Sequence, residues 1–325
     1  MTTWQQILKD AVTDLPSLLK QLDLNVTDMY LKQARDNPFP LRVPAGFISR
    51  MEKGNLNDPL LLQVLPQPQE LDVHPGYSHD PVGDQSANPI PGLLHKYHGR
   101  VLLTLTAACA INCRYCFRRH FPYEENMMGM KGRQRVLDYI NNDKTIDEVI
   151  LSGSDPLLAK DTELVNLVAQ LESISHIKRL RIHTRLPIVI PERITDTLLE
   201  CLQASRFDTI IIVHCNHPNE IDEAVADALN RCRDNNITVL NQMVLLKGVN
   251  DTVDDLVSLN KKLFSLGVLP YYLNLLDKVQ GSAHFDIDDQ HAISLHNTLR
   301  EKLPGYLVPR LVREKAGEPY KLPVF

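Results

Sequence analysis

Three cysteines, Cys109, Cys113 and Cys116, fall within the eight residues CAINCRYC. Thiolates are soft ligands that favour zinc or iron–sulfur clusters. A closed structural zinc site takes four protein ligands, and four cysteines are also the usual complement of a cluster. Three close cysteines with no evident fourth leave one metal position open, which is a chemical feature rather than a structural one. Cys215 is the remaining candidate for a fourth ligand; Cys201 and Cys232 fall in predicted helices and read as small core residues. Further polar groups gather where predicted strands end: Ser152-Gly153-Ser154-Asp155, His183-Thr184-Arg185, His214-Cys215-Asn216-His217, Asn241-Gln242 and Asn274. In barrels and open α/β sheets the reactive face lies at the carboxyl ends of the strands.

The elements that must position these groups begin near residue 100, where short runs rich in Val, Ile and Leu alternate with helical patterns. Strands are predicted over 101–106, 148–152, 179–184, 209–214, 238–243 and 269–274, and helices over 134–142, 162–173, 195–205, 220–235, 252–265 and 289–302. Apolar runs bounded by turn signals suit strands buried on both faces of a parallel sheet. Such a series of βα units makes either a doubly wound sheet or a barrel. The preceding 95 residues differ in texture: 11 of the 21 prolines lie there. Trp4, Ile7, Leu8 and Val12 share one helical face, as do Leu18, Leu19 and Leu22, and residues 66–91 read as an irregular wrap.

Composition excludes several classes. With 35 Lys and Arg against 40 Asp and Glu the formal net charge is −5 and the pI about 6.2, so no basic excess points to nucleic acid or an anionic membrane. A hydrophobic fraction of 43% supports a sizeable core and excludes disorder. Apolar runs such as Ile210 to Val213 fall far short of the roughly 18 residues of a membrane span. The first residues, MTTWQQILKDAV, are no signal peptide, and the crowding of cysteines suggests a reducing, cytoplasmic setting with a metal site rather than a disulfide scaffold.

CxxxCxxC after the first strand of a βα series resembles the radical S-adenosylmethionine (SAM) superfamily. Within it, HKYHGR, CRYCFRR, LSGSDPLL, RLPIVIPERIT, HCNHPNEI, NQMVLLKGVND, PYYLNLLD and PYKLPV, in that order over residues 95–325, resemble the lysine 2,3-aminomutases, in particular a compact bacterial form that serves elongation factor P. The resemblance implies an α/β fold: a partial (βα)6 barrel over 96–310, an N-terminal helical arm over 1–95 and a short C-terminal segment, 311–325, that binds pyridoxal 5′-phosphate (PLP).

It also implies roles. Cys109, Cys113 and Cys116 would hold a [4Fe-4S] cluster whose open iron binds SAM, and Ser152, Gly153, Ser154 and Asp155 would meet SAM through backbone carbonyls, although Ser154 departs from the usual paired glycines. Lys321 would carry PLP, with Lys96, Tyr97, Arg100, His214 and Gln242 on the PLP side. Pro319 and Pro323 stiffen the strip around Lys321, whose apolar neighbours Tyr320, Leu322, Val324 and Phe325 suggest a segment that closes over a barrel mouth. Arg118 would grip the substrate carboxylate, which a bidentate fork suits. Asp277 would receive the ε-ammonium of lysine, since a desolvated ammonium demands an anion. Glu314 stands where the family has a second aspartate, and the glycine-rich approach to the lysine has become Lys315-Ala316-Gly317-Glu318-Pro319-Tyr320.

The implied activity is conversion of L-lysine to (R)-β-lysine by 2,3-amino migration. It requires an external electron donor, and a separate ligase then attaches the product to elongation factor P. Two alternatives remain: an aminomutase for glutamate or arginine, and a non-catalytic iron–sulfur scaffold.

Overall fold

The computed structural model describes residues 3–325. Nine strands form one open sheet in the order β1 to β9. They are β1 Leu93–Tyr97, β2 Arg100–Thr104, β3 Glu148–Ser152, β4 Arg179–Thr184, β5 Asp208–Val213, β6 Thr238–Val244, β7 Val268–Asn274, β8 Arg310–Arg313 and β9 Leu322–Pro323. Strands β2 to β8 are parallel, and β1 and β9 add antiparallel at the two edges. The predicted strands correspond to β2 through β7. The other three lack the apolar run that marks a buried strand: β1 is LLHKY, turning back through His98-Gly99, and β8 and β9 are the short RLVR and LP. Strand β1 spans position 96, where the arm was expected to give way to the barrel.

The expectation of strands buried on both faces holds for β3 and the end of β5 and needs correction for β4 and β6. In β4, Leu180, Ile182 and Thr184 are buried while Arg179, Arg181 and His183 are only half-buried. Arg181 and His183 line an interior cavity, and Leu180 and Ile182 join the hydrophobic core. Strand β6 alternates likewise, with Gln242 and Val244 on the cavity side. The chamber inside the barrel therefore has a mixed lining, with Arg181, His183 and Gln242 beside Leu102, Ile150 and Val244, and the other face of β4 and β6 packs into the hydrophobic core.

Those helices are Met130–Asn142, Asp161–Glu172, Asp196–Ala204, Glu223–Asp234, Val253–Ser265 and Asp289–Lys302. Thr195, Asp222, Thr252 and Asp288 cap four of them by accepting from the backbone N–H of Leu198, Val225, Asp255 and His291. The helix expected from residue 220 starts at Glu223, because Pro218–Glu220 forms a tighter 3-10 turn and Asp222 is the cap. No helix among the described residues is long and apolar enough to cross a membrane.

In the arm, Trp4–Lys9 and Leu15–Gln21 are helical. Val12, expected on the first helical face, lies beyond that helix and pairs with Val43 in an isolated bridge, a conformation its β-branched side chain favours. Between residues 66 and 91 the chain forms the 3-10 turn Pro68–Leu71 and isolated bridges from Ser78 to Val279 and from Ile90 to Leu93. Leu18, Leu60 and Leu61 of the arm are fully buried in one cluster with the barrel helices.

The arm also grips the cysteine loop. Arg114, between Cys113 and Cys116, is fully buried and donates to Glu70 through Nε (2.8 Å) and a terminal nitrogen (2.5 Å). Arg119 donates to the same carboxylate at 2.7 Å. The loop amides of Asn112 and Arg114 donate to the carbonyls of Arg42 and Gln63 at 3.1 and 2.8 Å. Burial would raise the Glu70 pKa, but its arginine partners hold it below the usual range. Removing one member of a buried ion pair strands the other charge and costs about 3–5 kcal/mol. Glu70→Gln should lose stability of that order in urea denaturation; a loss below about 1 kcal/mol would show that the clamp carries no weight.

Candidate active site

Apart from Cys215, the candidate cluster, cofactor and substrate residues line one cavity of about 620 Å³ inside the barrel. Cys109, Cys113, Cys116 and Arg118 enter from the loop after β2, Ser152 to Asp155 from the end of β3, His214 from the end of β5, Gln242 from β6, Asp277 from beyond β7 and Glu314 from beyond β8. Lys96 and Tyr97 come from β1, Arg100 from β2, and Lys321 from the residue before β9.

Local chemistry explains the turn after β3. Gly153 has φ +102°, and a Cβ there would lie 2.8 Å from Thr104 Oγ1, so only glycine fits. Ser154 lies outside the left-handed region and needs no glycine; its hydroxyl bonds Thr106 at 2.6 Å. The Asp155 carboxylate is committed elsewhere. It accepts from Thr184 Oγ1 (2.7 Å) and from the backbone N–H of Leu157 (3.1 Å), Arg185 (2.8 Å) and Leu186 (3.2 Å), tying the end of β3 to that of β4. The Gly153 carbonyl accepts from the Tyr123 hydroxyl at 2.5 Å.

A chain of ions crosses the wall of the cavity. Arg118 Nε donates to Asp84 at 2.5 Å, Lys96 meets the other Asp84 oxygen at 2.6 Å and Glu314 at 3.1 Å, and Lys321 lies 3.3 Å from Glu314. Burial would raise the pKa values of Asp84 and Glu314, but adjacent cations hold both below the ordinary range. Asp277 differs. Burial pushes it up to about 7, with Lys321 and Lys96 offsetting only part of the effect and Glu314 and Asp84 adding to it. Lys321 also donates to Asn274 at 2.8 Å and lies over the Tyr272 ring at 5.6 Å. The apolar surroundings expected for Lys321 are thus replaced by polar ones: its Nζ turns inward, and Tyr320 and Phe325 of the strip face solvent.

His214 and Gln242 meet nitrogen to nitrogen at 3.0 Å, and burial followed by the Arg185, Lys321 and Arg118 charges drives His214 down to about 3, so it is a neutral imidazole. Arg100 stacks over Tyr97 at 4.7 Å. Cys215, entertained as a fourth ligand, is fully buried outside the cavity with its thiol on the His217 carbonyl; Asn241 holds its backbone through bonds of 2.9 and 3.0 Å. Cys232 is buried in the core and Cys201 packs against it. Sequence reasoning missed Asp84, which lies in the irregular wrap without a motif, Tyr272 in the cavity lining, and Tyr123, which bonds the Gly153 carbonyl; Asn274, expected at a strand end, lines the cavity.

The pattern of the radical SAM superfamily matches residues 103–259. The chain is 52% identical to the L-lysine 2,3-aminomutase of Haemophilus influenzae over 98% of its own length and 94% of that protein's. It is 50% identical to the Escherichia coli enzyme of the same name over 99% and 94%. The Clostridium subterminale enzyme is 36% identical, over 86% of this chain and 67% of its own. The chain belongs to the lysine 2,3-aminomutase family of radical SAM enzymes.

Family membership implies a [4Fe-4S] cluster and SAM, and the residues fit. Among the described residues no three His, Cys, Asp or Glu side chains converge as ligands of a single ion, and a cluster does not require that, because each thiolate binds a different iron. Burial, with Asp155 and the neighbouring thiols, pushes Cys109 well up, and burial with Cys113 pushes Cys116 up to about 11. Iron supplies the positive charge that would deprotonate such thiols. In this member of the family the departures at Ser154 and Glu314 both have structural answers: Ser154 needs no left-handed backbone, and Glu314 reaches both Lys96 and Lys321.

The ion chain gives the aminomutase an asymmetric pH response. Asp84 and Glu314, with lowered folded-state pKa values, contribute stability above roughly pH 4 that is lost as pH falls through those values. Asp277, raised to about 7, acts oppositely: it costs stability progressively as pH rises from about 4 to about 7. Urea midpoints of substrate-free protein over that interval should show the wild type losing stability relative to Asp277→Asn as pH rises. Parallel curves would contradict the placement of a protonated Asp277.

Proposed function

We propose that this enzyme converts L-lysine to (R)-β-lysine by moving the amino group from Cα to Cβ, with PLP on Lys321 and the cluster on Cys109, Cys113 and Cys116. When bound, SAM and the cluster supply a hydrogen-abstracting radical fed by an external electron donor, and PLP supplies delocalisation for a radical beside nitrogen. The chain's own residues bind, orient and exclude water. Arg118 has its terminal guanidinium nitrogens free of protein hydrogen bonds among the described residues, which suits a fork for the substrate carboxylate. Lys96, Tyr97 and Arg100 are offered to the PLP phosphate, with Gln242 and neutral His214 beside the ring. Ser152, Gly153, Ser154 and Asp155 form the SAM-side wall. Residues 1–95 act as the clamp on the cluster loop, 96–310 as the reaction chamber and 311–325 as the PLP segment.

One observation carries the substrate reading. The alkylammonium of Lys321 has the same reach as a lysine side chain, and it rests on Glu314 beside Asp277, whose carboxyl has no hydrogen-bond partner among the described residues. Once PLP occupies Lys321, an incoming ε-ammonium finds both acids. A glutamate side chain would meet two carboxylates there, which disfavours the glutamate alternative. Lys321 turned into the cavity disfavours a mere scaffold. The destination of β-lysine on elongation factor P, through a separate ligase and in the cytoplasm, rests on the resemblance of the chain to the compact bacterial form.

Incubation with PLP followed by borohydride should place a pyridoxyl group on Lys321 and leave Lys321→Ala unlabelled. Asp277→Asn should keep the cluster and that label yet lose roughly 10²-fold or more in kcat/KM for lysine, as deleting one partner of a desolvated ion pair costs several kcal/mol. Arg118→Ala should impair any α-amino acid substrate. Wild-type turnover by Asp277→Asn, or a wild-type preference for glutamate, would overturn the assignment.

A further inference from the structure

Arg185, at the end of β4, has no part in the roles described above, yet it is 5% exposed and both of its terminal nitrogens are hydrogen-bonded, while its Nε has no partner among the described residues. One terminal nitrogen donates to Cys113 Sγ at 2.7 Å. The other donates to Gln63 Oε1 at 2.6 Å and Glu220 Oε2 at 3.0 Å. Its backbone N–H is held by Asp155 at 2.8 Å, and the guanidinium lies over Phe47 and Tyr115 at 5.3 and 5.8 Å. Its partners are themselves fixed. Glu220 accepts from the backbone N–H of Asn216 (2.9 Å) and His217 (3.1 Å) and from Gln63 Nε2 (3.1 Å). The N–H aimed at sulfur is therefore aimed by the scaffold.

We propose that Arg185 is a positioning residue that sets the reduction potential of the cluster through this N–H···S bond, an inference that rests on Cys113 being a cluster ligand. One-electron reduction adds a negative charge that spreads onto the ligand sulfurs. A fixed donor on one sulfur stabilises the reduced form more than the oxidised form and raises the potential. Glu220 neutralises much of the guanidinium's net charge, so the directional bond carries the effect rather than bulk charge. Because Gln63 belongs to the arm, the arm that clamps the cysteine loop also orients this donor.

The test uses protein reconstituted with iron and sulfide without SAM, titrated reductively and followed by electron paramagnetic resonance. Arg185→Gln should retain the cluster and be about tenfold harder to reduce, a shift of about 59 mV to more negative potential for one electron. Arg185→Lys, which keeps the charge but not the fork, should fall between the two. An unchanged potential in a cluster-loaded Arg185→Gln protein would overturn the inference. If that variant does not hold its cluster, wild-type protein with 15N-labelled arginine decides: the reduced cluster should show a 15N hyperfine coupling, and its absence overturns the proposal. A full cluster in Cys113→Ala would instead overturn the ligand assignment beneath it.

Discussion

The sheet is open, and the ion chain from Arg118 through Asp84, Lys96 and Glu314 to Lys321 holds its two edges together. Lys96 sits on the first edge strand, and Glu314 and Lys321 flank the last two strands. A barrel closed by backbone hydrogen bonds is normally filled by layers of apolar side chains. Closing this one with side-chain charges leaves the chamber free for ligands. It also couples the cysteine loop, the wrap, the first strand and the tail. Buried ions are costly unless each is paired, and here each carboxylate lies between two cations. The chain carries three cations against two carboxylates, an excess that suits a further anion nearby, and Asp277, poised near neutrality, stands beside it.

The second constraint is the arm. It is not a separate layer but the floor of the cysteine loop: Glu70 fixes Arg114 and Arg119, backbone carbonyls take the loop amides, and Gln63 reaches Arg185. Gathering three cysteines for a cluster costs conformational freedom before iron arrives. A rigid loop meets that cost during folding rather than at binding, which is the general advantage of preorganised sites.

Much of this was legible in the residues. The alternation of apolar runs with helical patterns located β2 to β7 and the six long helices, because each carries its own periodicity and four of the helices also carry a capping residue. The edge strands β1, β8 and β9 were not legible, since they are short, polar and defined by partners distant in sequence. Polarity of the barrel interior was present as alternation in RLRIHT, but the apolar half of the pattern dominated the reading. Among site residues, those in motifs were found; Asp84 was not, because an aspartate in a proline-rich wrap acquires meaning only when Arg118 and Lys96 fold against it. Asp155 has a role its motif did not suggest: its carboxylate joins two strand ends.

The central claim is that one chamber combines the cluster, SAM and PLP to move the amino group of lysine. Protein reconstituted anaerobically with iron and sulfide, given a reductant and L-lysine labelled with 15N at the α-amino group, tests it directly by nuclear magnetic resonance, with SAM and PLP each omitted in turn. The account predicts β-lysine with the label on Cβ only when both are present. Label transfer without PLP or without SAM, or no transfer in the complete mixture, would contradict it.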